Sequence, residues 1–159
     1  MRQLNWAILG PGMIANDFAK ALNKGNGGIY AVGSRQLHSA KSFAEKHQVE
    51  VAYGSYDEML KDEKIDVVYI ATPHTFHYEY IMKSLQNGKH VLCEKAITVN
   101  SDQLREIVAL AQEKQLIVAE AMTIYHMPLY KKLRSIVSSG KLGKLKMIQV
   151  SFGSCKEYD

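Results

Sequence analysis

The sequence predicts an α/β protein: a doubly wound parallel sheet with helices on both faces, followed by the truncated start of a second, α+β domain. Three observations predict it. Short apolar runs alternate with helical patterns almost from the first residue. The run 65–70 is apolar except at Asp66, as expected for a strand covered on both sides. After residue 120 the pattern changes: Ile148, Val150 and Phe152 alternate with Gln149 and Ser151, the period-two mark of a strand with one wet face.

The elements follow in order. Trp6-Ala7-Ile8-Leu9 is the first strand and ends at Gly10. A helix follows, with Ile14, Phe18 and Leu22 at spacing four and Ala15 and Ala19 beside them. Asn26-Gly27-Gly28 signals a turn before the second strand, 29–32. A helix over 39–47, a strand over 49–53 and a short helix over 56–60 lead to the fourth strand, 65–70. Thr72-Pro73 opens the next helix, Thr as N-cap and Pro at the first helical position. Asn87-Gly88 closes it. The fifth strand is 91–93. A helix over 100–112 presents Leu104, Ile107, Val108 and Ala111 on one face. The sixth strand is 116–119. Pro128 opens a helix with an apolar face of Leu129, Leu133, Ile136 and Val137, and the period-two strand occupies 145–152. The expected division is 1–120 and 121–159. A single final strand cannot cover its own apolar face. The expectation is therefore a fragment, or a homo-oligomer in which another chain supplies the cover.

Composition excludes several classes. Hydrophobic residues are 47% and charged residues 23% of 159, which argues against disorder. The net charge of +4 is modest and its basic residues are scattered, so no nucleic-acid partner is expected. No apolar run approaches the ~20 residues that span a bilayer, so no membrane association is expected. The first residues lack a signal-peptide core, which points to a cytoplasmic protein. Cys93 and Cys155 lie far apart without metal-ligand spacing and read as free thiols.

The first strand runs into Gly10-Pro11-Gly12-Met13-Ile14-Ala15, which fits G-x-G-x-x-A between a strand and a helix. Gly10 permits the tight turn, Gly12 lets a pyrophosphate approach the backbone, and Ala15 lets the helix pack closely. The free N–H groups at the helix start face the phosphates. Gly10, Gly12, Met13 and Ile14 are the expected phosphate-side contacts of a Rossmann-type dinucleotide site. An NAD-preferring site places a carboxylate at the end of the second strand. Here stand Gly33-Ser34-Arg35. Arg35 can fork onto a 2′-phosphate and Ser34 can add a hydrogen bond, so NADP is expected, with NAD possible if Arg35 only stacks on the adenine.

Ligands of this architecture bind outside the carboxyl ends of the strands. The fourth strand ends in Ala71-Thr72-Pro73-His74-Thr75-Phe76-His77 and the fifth in Cys93-Glu94-Lys95-Ala96. Together with GPGMIA at 10–15, GSR at 33–35, YGSYDEML at 53–60, CEKAIT at 93–98 and AEAMTIYHMPLYKKL at 119–133, these resemble the glucose–fructose oxidoreductase / inositol dehydrogenase / MocA family over essentially the whole chain. The last motif is most similar to the branch of dihydrodiol and sugar dehydrogenases.

The resemblance implies hydride transfer between NADP(H) and a hydroxyl or carbonyl carbon of a sugar, polyol or diol. It implies Lys95 as the catalytic residue, from the family's Glu-Lys-Pro motif, with Glu94 orienting it. An ammonium there stabilises developing alkoxide charge. Alanine at 96 replaces the usual proline and leaves the loop freer. The resemblance places the backbone of Ala71, Thr72, Pro73 and His74 against the cofactor. It places His77 toward the nicotinamide as a second catalytic candidate, and Glu120 and Ala121 near the ring. Tyr125, His126 and Tyr130 line either the substrate side or a packing surface. His74 and His77 have no third metal ligand of convincing spacing, so no metal is expected. The competing expectations are a cofactor-binding module without turnover and a non-catalytic dinucleotide sensor. No DNA-reading motif accompanies the fold to favour the sensor.

Overall fold

The computed structural model describes residues 3–25, 28–151 and 153. The chain forms two compact units, Met1–Ala121 and Met122–Asp159.

The first unit is a six-stranded sheet. Its strands are β1 (Trp6–Leu9), β2 (Ile29–Gly33), β3 (Val51–Tyr53), β4 (Val67–Ile70), β5 (His90–Cys93) and β6 (Val118–Glu120). The order is β3-β2-β1-β4-β5-β6 and every pairing is parallel. β4 is buried along its whole length, and its apolar run reflects cover on both faces. β3 and β6 lie at the edges, are short and are only partly buried.

The helices are α1 (Met13–Lys24), α2 (Leu37–His47), α3 (Tyr56–Leu60), α4 (His77–Gln86) and α5 (Ser101–Glu113). One core gathers Ile8, Val32 and Tyr69 of the sheet with Ala15 and Ala19 of α1 and Ala40 and Phe43 of α2. The other gathers Leu9, Val68, Ile70 and Val91 with Met59 and Leu60 of α3, Ile81 and Leu85 of α4, and Ile107 and Ala111 of α5. Successive residues of β4 thus face opposite layers, as a pleated strand requires. The alanines of α1 bring that helix close to the sheet. Phe18, from the same helix, stacks on Tyr69 with ring centroids 3.9 Å apart, a contact worth about 0.5–1.5 kcal/mol beyond its buried area. Asn100 caps α5 by accepting from the Asp102 and Gln103 amides, and Ser55 caps α3 through Glu58 N.

Several boundaries differ from the sequence expectations. α2 begins at Leu37, two residues before the expected Ser39. β3 begins at Val51 because Gln48 turns left-handed and Val49 N closes back onto Ala44 O. β4 begins at Val67: Ile65 N bonds Asp62 O in the preceding turn, and Asp66 N is taken by Asn5 O. β6 spans Val118–Glu120 rather than 116–119. Thr72-Pro73 does not open α4. Pro73 is extended at ψ 140, a 3-10 turn covers His74–Phe76, and α4 starts only at His77.

The second unit contains a 3-10 turn, Thr123–His126, and α6 (Pro128–Ser138), with Pro128 at its first position. Gly140 and Gly143 make left-handed turns at φ 73 and 65. The strand expected over 145–152 is absent at residues 145–151, and Phe152 lies outside the described residues. Alternating side chains make a strand only against a neighbouring ladder, and no strand is present among the described residues of this unit to supply one.

Candidate functional site

The connections reverse direction between β1 and β4. From β1 the chain winds outward to β2 and β3, and from β4 to β5 and β6. The carboxyl ends of β1 and β4 therefore splay their loops apart and leave a crevice. A cleft of ≈ 700 Å³ occupies it, lined by Gly10, Pro11, Gly12, Ser34, Arg35, Gln36, Ser39, Tyr56, Ala71, Thr72 and Pro73.

The glycine turn is built by opposite constraints at its two glycines. Gly10 sits at φ 97, and a Cβ there would meet Thr72 Cγ2 at 3.1 Å and Ala71 O at 3.2 Å. Only glycine fits without strain. A Cβ on Gly12 would meet nothing within 4 Å. The fold itself therefore does not demand glycine there, and the space beside it is open. No side chain caps α1. The amides of its first turn have no intrahelical acceptor and carry the positive end of the helix dipole. Met13 is 86% exposed and Ile14 also faces outward, so these residues offer backbone rather than side chain.

The turn after β2 forms the opposite wall. Ser34 is nearly buried; its amide donates to Tyr53 O and its Oγ accepts from Gln36 N at 3.3 Å. The Ser34 hydroxyl proton is left for another acceptor. Arg35 is exposed and forms no hydrogen bond or ion pair among the described residues. It faces the cleft and a smaller adjoining hollow with Tyr56, Phe76 and Tyr80. Burial raises the Tyr56 and Tyr80 phenols, and the Arg35 charge opposes the shift at both. Among the described residues, no carboxylate lines the cleft.

The Thr72 Oγ1 is buried and has no hydrogen-bond partner. Thr72 was expected to cap a helix. Its position in the extended segment before Pro73 prevents that, and its polar atom is an orphan on the cleft wall. His74 is exposed on the 3-10 turn and does not line the cleft.

The β5 loop is held on both sides. Glu94 N donates to Ile70 O, and Glu94 Oε1 accepts from the Tyr69 hydroxyl at 2.5 Å. The Lys95–Ala96 peptide bond is cis. Lys95 is exposed, and its ammonium has no partner among the described residues. Ala96 O lies 2.8 Å from His77 Nδ1, and Ile97 N donates to Glu120 Oε1 at 2.9 Å. The loop is thus tethered, where the loss of proline suggested freedom. Ala121 N donates to Cys93 O at 2.8 Å, which sets Ala121 beside the end of β5.

His77 corrects an expectation. It is 1% exposed, and its Nε2 lies 2.8 Å from Thr72 O. Both ring nitrogens are committed to backbone carbonyls, so the ring has none to offer a reacting group. Among the described residues no group of three His, Cys, Asp or Glu side chains could hold a metal, and no helix is long and apolar enough to cross a membrane.

Sequence reasoning missed Pro11, Gln36, Ser39 and Tyr56 as cleft residues. Gln36 and Ser39 bracket the start of α2 directly after Arg35, and that adjacency was the available signal. Tyr56 reaches the cleft by tertiary packing, which no local pattern encodes. In the second unit, Tyr125 and Tyr130 line a groove of ≈ 490 Å³ with Met122, Ile124, Leu133 and Val137, and His126 is exposed outside it.

An open phosphate-sized space at a bare helix start, an unpaired guanidinium and an orphan hydroxyl around one crevice define a dinucleotide-binding domain of the Rossmann class. The family comparison agrees. The chain belongs to the oxidoreductase family with an NAD-binding Rossmann fold, whose profile matches residues 4–122. It is 40% identical over 152 residues to the trans-1,2-dihydrobenzene-1,2-diol dehydrogenase of Xenopus laevis, covering 94% of this chain and 46% of that protein. It is likewise 40% identical over 153 residues to the Homo sapiens enzyme of that name, again over 94% and 46%. Among solved structures it resembles the 3-ketoreductase KijD10 of Actinomadura kijaniata in complex with NADP. The TM-score is 0.84 at 28% identity, over 90% of this chain and 46% of that one. The myo-inositol 2-dehydrogenase of Lactobacillus plantarum gives a TM-score of 0.82 at 25% identity, over 90% and 43%. The chain spans about half the length of the curated relatives it matches.

Proposed function

We propose that this chain is the cofactor-binding part of an NADP-preferring dehydrogenase acting on a hydroxyl or carbonyl carbon of a sugar, polyol or diol. The observation that carries the cofactor choice is Arg35, unpaired at the cleft wall beside Ser34, with no carboxylate to repel a 2′-phosphate. The substrate class is supported by the names of the relatives, a diol dehydrogenase and an inositol dehydrogenase.

When bound, the nicotinamide supplies hydride donation and acceptance. The chain's residues do the rest. The α1 amides and Gly12 hold the diphosphate, with Gly10 shaping the turn and Met13 and Ile14 contributing N–H groups. Arg35 and Ser34 hold the 2′-phosphate. Ala71, Thr72 and Pro73 bound the cofactor from the β4 side, with His74 next to them and Ala121 beyond β5. Lys95, with Glu94 next to it, moves the proton at the substrate oxygen and stabilises charge that develops there.

The second unit, 121–159 by the sequence division, is read as the beginning of the substrate and oligomerisation domain. Tyr125 and Tyr130 then serve the substrate side. The exposed Leu129 and Leu133 of α6 support self-association of a cytoplasmic protein. The alternative is a module that binds the dinucleotide without turnover. The deciding experiment is a fluorescence titration with NADPH and NADH, followed by a polyol and sugar panel. Tighter NADPH binding with substrate-dependent oxidation or reduction is expected. Equal affinities overturn the NADP assignment, and binding without turnover selects the module.

A further inference from the structure

We infer that His77 is a positioning residue: a two-ended staple that fixes the Lys95 loop against the cofactor-side loop of β4. The inference rests on the reading of Lys95 given above.

The loops after β4 and β5 leave adjacent parallel strands, paired at Ile70 and Cys93. Past Glu94 N, which donates to Ile70 O, the strand ladder ends. His77 then takes over. It is the first residue of α4, and its buried ring reaches both loops. Nδ1 lies 2.8 Å from Ala96 O on one loop, and Nε2 lies 2.8 Å from Thr72 O on the other.

Both partners are carbonyl oxygens, which only accept. The ring N–H donates to one of them, and the rigid, buried imidazole holds its other edge against the second, so the ring spans both loops.

The staple acts next to the residue that matters. Ala96 follows Lys95, and Ile97 is held from the opposite side by Glu120 of β6 at 2.9 Å. Side chains from both neighbouring strands' segments thus grip two consecutive residues. Lys95 itself has no partner among the described residues, so its Nζ is positioned only through its backbone. Placement errors of about an ångström at a reacting group cost on the order of a hundredfold in rate.

Nitrogen-15 spectroscopy of the ring, in the 159-residue chain without cofactor, tests the staple directly. The His77 signal is assigned through its proximity to Ala96. A slowly exchanging ring N–H is expected. A ring N–H that exchanges as fast as that of an exposed histidine overturns the proposal, whatever the cofactor preference proves to be. The second measurement is His77→Gln in a form that turns over. Its kcat should fall on the order of tenfold to a hundredfold, while KM and NADPH affinity change less than about threefold. A folded variant with unchanged kcat overturns the positioning role. Should His77→Gln fail to fold, Glu120→Ala removes the acceptor of Ile97 N and loosens the same loop from the β6 side. A kcat-selective loss is again expected, and unchanged kcat overturns the proposal.

Discussion

The Tyr69 hydroxyl donates to Glu94 Oε1 at 2.5 Å, tying the middle of β4 to the residue that follows β5. Tyr69 is 1% exposed and lies under Phe18 of α1, so its oxygen has no water to turn to. Burial and the Glu94 carboxylate both push the phenol well above its ordinary value. Tyr69→Phe leaves the carboxylate without this donor and should cost about 1–2 kcal/mol in denaturant unfolding. An unchanged midpoint refutes the tie.

The same shift fixes an alkaline limit. The folded chain keeps Tyr69 and Tyr53 protonated well above the ordinary phenol value of 10.0, because desolvation and hydrogen bonds to carboxylates both disfavour the phenolate. A folded value above the unfolded one means that this stability is complete below pH 10. It declines as the unfolded phenols ionise above that pH, and is gone once the folded groups ionise too. Circular dichroism against pH should show a loss beginning above pH 10, smaller in Tyr69→Phe. A loss already complete near neutral pH contradicts the assignment.

The two glycines of the phosphate turn should separate stability from binding. Gly10→Ala forces a left-handed φ of 97 on alanine and crowds Thr72, so it should destabilise by about 1–3 kcal/mol. Gly12→Ala meets no atom of the protein, so its melting temperature should hold or rise. Its dinucleotide affinity should nevertheless fall severalfold. Full affinity in Gly12→Ala shows that no phosphate lies there.

Arg35→Ala should weaken NADPH by on the order of tenfold to a hundredfold, the worth of one or two charge-assisted hydrogen bonds. NADH should change little. Parallel losses for both cofactors place Arg35 over the adenine instead.

Cys93 is fully buried, and burial beside Glu94 and Glu120 pushes its thiol up to about 12. In a Cys155→Ser background, an alkylating reagent at neutral pH should label the native chain negligibly and the denatured chain completely. Rapid native labelling means that β5 opens locally.

Much of this was legible in the sequence. The strand–helix alternation, Gly10-Pro11-Gly12 and Ser34-Arg35 are local signals, and local signals survive without coordinates. What failed was long-range. His77 reads as a catalytic candidate or as a capping or packing histidine, and only the return of Thr72 and Ala96 to within 2.8 Å shows where its nitrogens lie. Tyr56 enters the cleft because α3 packs on Gly33, where a Cβ would meet Met59 Sδ at 2.9 Å and Tyr56 at 3.2 Å. The alternation at 145–151 is a real pattern without a sheet to join.

Arg35 belongs to neither core, and among the described residues it makes no hydrogen bond or ion pair. Replacing an unbonded surface side chain usually moves stability by no more than about 0.5 kcal/mol. The proposed coenzyme contact therefore sits apart from what holds the fold. On that assignment, nicotinamide preference changes at one side chain while the architecture beneath it stays unperturbed.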